Sequence, residues 1–82
     1  MIQIHVRLFA TLRETAGVDE CQLTLDAGAR GLEAKDALVT RYPRLHGLLD
    51  YARLALNHTY EPLETPLHDG DELSFIPPVS GG

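Results

Sequence analysis

Glu72-Leu73-Ser74-Phe75-Ile76-Pro77-Pro78-Val79-Ser80-Gly81-Gly82 decides how the rest of the chain has to be arranged. Its first five residues alternate, with Leu73 and Phe75 predicted inward and Ile76 outward, as in a strand lying against a core. Pro77 and Pro78 then stop the ladder, because a proline has no N–H to donate and its φ is fixed. Proline also drives the residue before it into an extended conformation, so Ile76-Pro77-Pro78 is expected to leave the body as a stiff, polyproline-like stalk. The residues from Pro77 to Gly82 would reach roughly 20 Å at about 3.3 Å each. Gly81 and Gly82 carry no side chain, so the tip is as thin as a polypeptide can be. A thin, stiff tip suits insertion of a terminal carboxylate into a narrow channel of another protein.

Working outward, that strand needs partners. Met1 to Phe9 supplies one: Ile2, Ile4, Val6 and Leu8 share one face, with Gln3, His5, Arg7 and the odd aromatic, Phe9, on the other. Thr11 to Gly17 reads as a short helical turn closed by a glycine suited to the left-handed position after a helix. Glu20 to Leu25 alternates again, with Cys21, Leu23 and Leu25 inward, and is the natural antiparallel partner of the first strand. Asp26-Ala27-Gly28 is a turn. A helix is predicted over roughly Ala29 to Tyr42, ended by Pro43. Its core stripe is small: Ala34, Ala37, Leu38 and then Leu45, flanked by Leu32 and Val39. Gly31 would cost it up to ~1 kcal/mol relative to alanine if it lay inside. Lys35 is expected at the stripe's edge, stem against apolar surface and ammonium in water.

Arg44 to Tyr51 reads as a loop with a turn of helix, Arg53 to Asn57 as a third strand, and Asn57-His58 as a tight turn. Tyr60 sits on a short extended piece interrupted by Pro62 and Pro66, hence at a sheet edge. The order strand, strand, helix, short strands, strand predicts one main helix across one face of a mixed sheet of four to five strands. The first and last strands become parallel neighbours. This is an α+β, β-grasp (ubiquitin-like) domain over residues 1–76, followed by an extended diglycine tail over 77–82. By parity, Phe9, Tyr60 and Ile76 share the face away from the helix, where clustered apolar groups mark a contact surface.

Composition narrows the function. The chain has 82 residues with 44% hydrophobic, enough for one small core. Its formal net charge of −5 argues against nucleic acid and anionic membrane surfaces, which reward basic patches, and is compatible with a basic protein partner. A single cysteine excludes an internal disulfide and fits a reducing cytoplasm. No apolar run approaches the ~18 residues of a membrane span, and no signal peptide is predicted. His5, His46, His58 and His68 show no metal-ligand spacing, so no metal site is predicted. Cys21 falls where alternation places a core residue, unlike a nucleophile, which needs exposure and electropositive neighbours. No nucleophile elbow, phosphate loop or pair of catalytic carboxylates appears.

The terminal carboxylate of Gly82 remains. A carboxylate is a poor acyl donor because its oxygen leaves badly. Joining it to AMP supplies a good leaving group, and a sulfur nucleophile displacing AMP leaves a C-terminal thiocarboxylate. Glycine crowds neither that nucleophile nor the tunnel that must admit the tail.

The chain resembles the family of small, sulfur-carrying subunits of molybdopterin synthase. The resemblance rests on Arg7-Leu8-Phe9-Ala10-Thr11-Leu12-Arg13-Glu14, Arg41-Tyr42-Pro43-Arg44-Leu45, Ala55-Leu56-Asn57, Leu67-His68-Asp69-Gly70-Asp71-Glu72-Leu73 and the end Phe75 to Gly82. It implies that an E1-like enzyme, using ATP and magnesium, adenylates Gly82, and that persulfide sulfur converts it to the thiocarboxylate. No cofactor intrinsic to this chain is implied. The carrier then docks on the large, catalytic synthase subunit, typically as a heterotetramer, and donates sulfur to a pterin precursor in molybdenum cofactor biosynthesis. It is itself a non-catalytic, sulfur-donating subunit. The resemblance also implies that Phe9, Tyr60 and Ile76, with Pro77, Pro78, Val79 and Ser80 of the tail, meet the partners, and that Gly81 belongs with Gly82 to the reacting end.

One region departs from the family. Gly31, Ala34 and Lys35 stand where larger aliphatics are usual, which predicts a looser core or an altered helix register there. Two other readings stay open. A sulfur carrier for thiamine thiazole synthesis shares the fold and the diglycine but usually lacks the diproline. A ubiquitin-like modifier would join Gly82 to lysines of other proteins.

Overall fold

The computed structural model describes residues 1–78. Five strands form one mixed sheet: β1 (Ile2–Leu8), β2 (Glu20–Leu25), β3 (Arg53–Leu56), β4 (Thr59–Tyr60) and β5 (Glu72–Ile76), in the order β2-β1-β5-β3-β4. Strand β5 is central, parallel to β1 and antiparallel to β3. Two helices complete the fold, α1 (Ala10–Ala16) and α2 (Gly31–Arg41), with 3-10 turns at Pro43–Leu45 and Leu49–Tyr51. The architecture is the β-grasp.

Alternation sorts the side chains as the sequence predicts. Leu8, Phe75 and Leu54 form one row across β1, β5 and β3 on the helix side, and all three are buried. Gly17 closes α1 in the left-handed region at φ 81°, its N–H donating to the Arg13 carbonyl at 2.9 Å. Asn57 and His58 both have positive φ, the pairing a two-residue hairpin turn needs to match strand twist.

The helix region corrects three expectations. Helix α2 begins at Gly31, not Ala29, and ends at Arg41 with Tyr42 beyond it. Its start is fixed from outside the segment. The Gly31 and Leu32 N–H groups, which have no partner within the helix, donate to the carbonyls of Thr65 (3.1 Å) and Leu63 (3.0 Å). Gly31 is therefore the first helical residue and not an interior weakness.

The packing there is close, not loose. A Cβ on Gly31 would lie 2.7 Å from Leu54 Cδ2 and 2.9 Å from the Leu63 carbonyl oxygen. Small residues let the helix sit directly on β3 and the 63–67 loop, and Ala34 and Leu38 are fully buried beneath it. Gly31→Ala should accordingly lower stability by about 1–3 kcal/mol, the usual range for overpacking. A urea midpoint at or above that of the parent protein would count against this reading.

The Lys35 ammonium is not simply solvated. It meets the Asp50 carboxylate at 2.7 Å, tying α2 to the second 3-10 turn. The hydrogen bond from the Lys35 ammonium, with its charge, holds the Asp50 carboxyl below its ordinary value.

Candidate functional site

The start of β5, the strand whose far end carries the tail, is fixed by the turn that precedes it. Asp71 is half-buried and uses both carboxylate oxygens: Oδ2 accepts the His68 N–H at 2.8 Å and Oδ1 accepts Asn57 Nδ2 at 3.1 Å. Asn57 Oδ1 in turn accepts the Glu72 N–H at 3.0 Å. Asp69 Oδ1 accepts the Gln3 N–H at 2.8 Å, and the Gly70 N–H, at φ 89°, donates to the Gln3 carbonyl at 2.8 Å. One Asp-Gly-Asp turn thus joins the start of β1, the β3–β4 hairpin and the first residue of β5. These side chains set the register of the central strand. They do not form a reactive group.

Strand β5 ends at Ile76, and Pro77 (half-buried) and Pro78 (exposed) follow it. Val79, Ser80, Gly81 and Gly82, to which the sequence assigns the chemistry and part of the partner contact, lie outside the described residues.

The predicted apolar face forms as a row. On the side away from α2, Phe9 continues β1 past Leu8, and Leu8 is level with Phe75, so Phe9 and Ile76 come at the same end of the sheet. Arg53 pairs with Ile76 on the other side, and Tyr60 pairs with Ala55 on β4. Phe9 is 37% exposed and Tyr60 51%, a large solvent-facing area for aromatic rings, while Ile76 is half-buried between them. The tail departs from Ile76, in the middle of this face, with Arg53 opposite it on the Tyr60 side.

Two arginines belong to this face, and reading the strands singly missed their role. The Arg53 guanidinium lies 3.9 Å from the centre of the Tyr60 ring, and that of Arg7 lies 5.7 Å from the Phe9 ring. Arg7 also meets Glu72 at 3.6 Å, and Glu72 meets His58 at 3.3 Å. The signal was present: a two-residue turn at Asn57-His58 makes Ala55 and Tyr60 opposite, so Arg53 and Tyr60 become diagonal neighbours within reach of long side chains.

The remaining reactive side chains are placed as structural parts. Cys21 is half-buried, and burial pushes its thiol up, with the Arg41 charge and a Tyr42 hydrogen bond only opposing this. That is the reverse of an activated thiolate. His5 pairs with Glu20 at 3.2 Å on the exposed sheet face. Among the described residues no three His, Cys, Asp or Glu side chains gather as metal ligands, and no helix is long and apolar enough to cross a membrane.

The ThiS family model matches residues 6–82. A molybdopterin synthase sulfur carrier subunit from Arabidopsis thaliana is 37% identical over 81 residues, covering 99% of this chain and 84% of the relative. Small archaeal modifier protein 1 of Haloferax volcanii superimposes with a TM-score of 0.91 at 30% identity, covering 96% of this chain and all of its own. A chain in the protein–protein complex of subunits 1 and 2 of molybdopterin-converting factor from Helicobacter pylori superimposes with a TM-score of 0.70 at 28% identity. That match covers 99% of this chain and 100% of the other.

Proposed function

The chain belongs to the ThiS family as a full-length relative of molybdopterin synthase sulfur carrier subunits, and on that basis we propose that it carries sulfur on Gly82 for molybdopterin synthesis. The observation that carries this reading is the end-to-end match, reaching Gly81-Gly82. The placement of the tail's root supports it: β5 is the central strand and delivers Ile76, Pro77 and Pro78 beside the exposed Phe9–Tyr60 row.

The chemistry belongs to the terminal carboxylate. An E1-like enzyme binds the domain, and its ATP and magnesium convert the Gly82 carboxylate to an acyl-adenylate with release of pyrophosphate. A sulfur nucleophile attacks the acyl carbon and AMP leaves with the bonding electron pair. With a persulfide as that nucleophile the product is an acyl disulfide, and a thiol of the donor system then attacks its outer sulfur, forming a disulfide with the donor and releasing the thiocarboxylate. In this reading the partner enzymes supply the acid, base and nucleophile for these steps, and the chain acts as a non-catalytic, sulfur-donating subunit. The domain's part is recognition: the face formed by Phe9, Ile76 and Tyr60 docks, and Pro77 to Gly81 carry the acyl group into the partner's site.

The next partner is the large synthase subunit, a reading supported by the likeness to a chain of the Helicobacter pylori complex. We place the pair in a heterotetramer of two small and two large chains, in the cytoplasm, whose reducing conditions suit a thiocarboxylate and a free thiol.

A second reading has one observation in its favour, the likeness to small archaeal modifier protein 1. In it, the same activated Gly82 is transferred to lysine amines. Both readings share the adenylate and part at the acceptor. Incubating the protein with its host's activating enzyme, ATP, magnesium and a sulfur donor should raise its intact mass by the replacement of one oxygen by one sulfur. No gain, with an enzyme active on another carrier, would overturn the carrier reading. Isopeptide-linked Gly82 on cellular proteins in place of the gain would establish the second.

A further inference from the structure

The net charge of −5 favours a basic partner at long range, but the docking face has the opposite local chemistry. Among the described residues, Arg7, Arg30 and Lys35 are each within ion-pair distance of a carboxylate, and Arg41 donates to the Gln22 carbonyl at 2.9 Å. Arg13, Arg44 and Arg53 have no such partner there. Arg13 and Arg44 sit in the last turns of helical segments, where a cation meets free carbonyls. Arg53 alone is on the exposed sheet face, paired in the ladder with Ile76 at the tail's root.

Its guanidinium carbon lies 3.9 Å from the centre of the Tyr60 ring, a cation–π contact that restrains the side chain on this face. It also borders an open depression of about 380 Å³ whose lining includes Leu54, Tyr60, Pro62 and Leu63. Glu61 lines the same depression but lies outside ion-pair distance of Arg53. An arginine with no carboxylate within ion-pair distance, lying against an exposed tyrosine beside a depression lined by both polar and apolar groups, combines two residue types enriched among the hot spots of protein interfaces.

We propose that Arg53 is the electrostatic anchor of the docking face, receiving a carboxylate of the large synthase subunit while an apolar side chain beside that carboxylate enters the depression under Tyr60. The proposal rests on the carrier reading and adds the chemistry of the partner: an apolar surface with an acidic group at its margin, the reverse of what net charge suggests. Arg53 fixes orientation as well as affinity, because a guanidinium accepts a carboxylate in a planar, two-point geometry that an ammonium does not reproduce.

The test measures the Kd of the full-length chain for its host's large subunit at low and at physiological salt, for the parent and for Arg53→Gln, Arg53→Lys and Arg53→Glu. Thermal unfolding should be nearly the same for all four, since the side chain faces solvent. Arg53→Gln is expected to weaken binding about tenfold, Arg53→Lys less, and Arg53→Glu about a hundredfold, with the differences shrinking as salt screens the pair. Equal Kd values for parent and Arg53→Gln at both salts, in variants that fold, would overturn the proposal alone. Tighter binding by Arg53→Glu would do the same and would point to a basic partner surface. No binding by the parent protein would overturn the carrier reading, and this inference with it.

Discussion

Removal of Gly82 is expected to abolish sulfur loading and sulfur transfer while leaving the fold and its thermal midpoint unchanged. The reason is geometric. Each residue of extended chain spans about 3.5 Å, so truncation withdraws the acyl carbon by that distance from the point where the activating enzyme holds ATP. Reacting atoms must come within roughly 3–3.5 Å, and a misplacement of about 1 Å can cost 10²-fold in rate. A shift of a full residue should therefore take both steps below detection, even though Gly81 presents a chemically similar carboxylate. No side chain of the core is altered, and among the described residues the last buried one is Phe75. The measurement is intact mass after the loading reaction, followed by product formation with the large subunit. Undiminished transfer by the truncated protein would remove Gly82 from the mechanism.

Phe75→Ala should have the largest effect on stability. Phe75 is 1% exposed, sits on the central strand, and faces Leu8 on one side and Leu54 on the other. Truncating a buried phenylalanine costs about 3–5 kcal/mol, transfer and cavity terms together. At roughly 0.05–0.15 kcal/mol per residue, an 82-residue domain has about 4–12 kcal/mol in all. The variant should lose a large share of its folded population, seen as a fall in urea midpoint with little change in slope. Ile76→Ala, one residue on, removes a half-buried side chain from the opposite face and should cost only about 1 kcal/mol. Similar midpoints for the two variants would contradict the assignment of the two faces. The comparison also separates stability from recognition, because Ile76 belongs to the proposed docking face and Phe75 does not.

Much of this was legible in one dimension because strand alternation has a period of two and breakers are local. Ile2 to Leu8, Leu73 and Phe75 declare their face without reference to anything else in the chain. Pro77-Pro78 declares the end of β5, and Asn57-His58 declares a hairpin. The row of Phe9, Ile76 and Tyr60 followed from parity once the last strand was placed at the centre. The helix was harder to read. Its N-terminus is capped by carbonyls of Leu63 and Thr65, more than thirty positions away, and no local pattern encodes such a partner.

The sequence by itself determined which face of each long strand is inside, that β1 and β5 run parallel, and that Pro77 and Pro78 end the central strand. Each of these depends on short-range periodicity or on the stereochemistry of proline. Tertiary structure alone decided that Gly31 is an approach point and not a flaw, because only the contact with Leu54 and Leu63 reveals the missing space. It decided that Lys35 reaches Asp50. It also decided that Arg53 lies over Tyr60, which gives an acidic chain a cation at its docking face. Net charge sums over the whole surface, whereas recognition depends on the few groups that strand register brings to one edge.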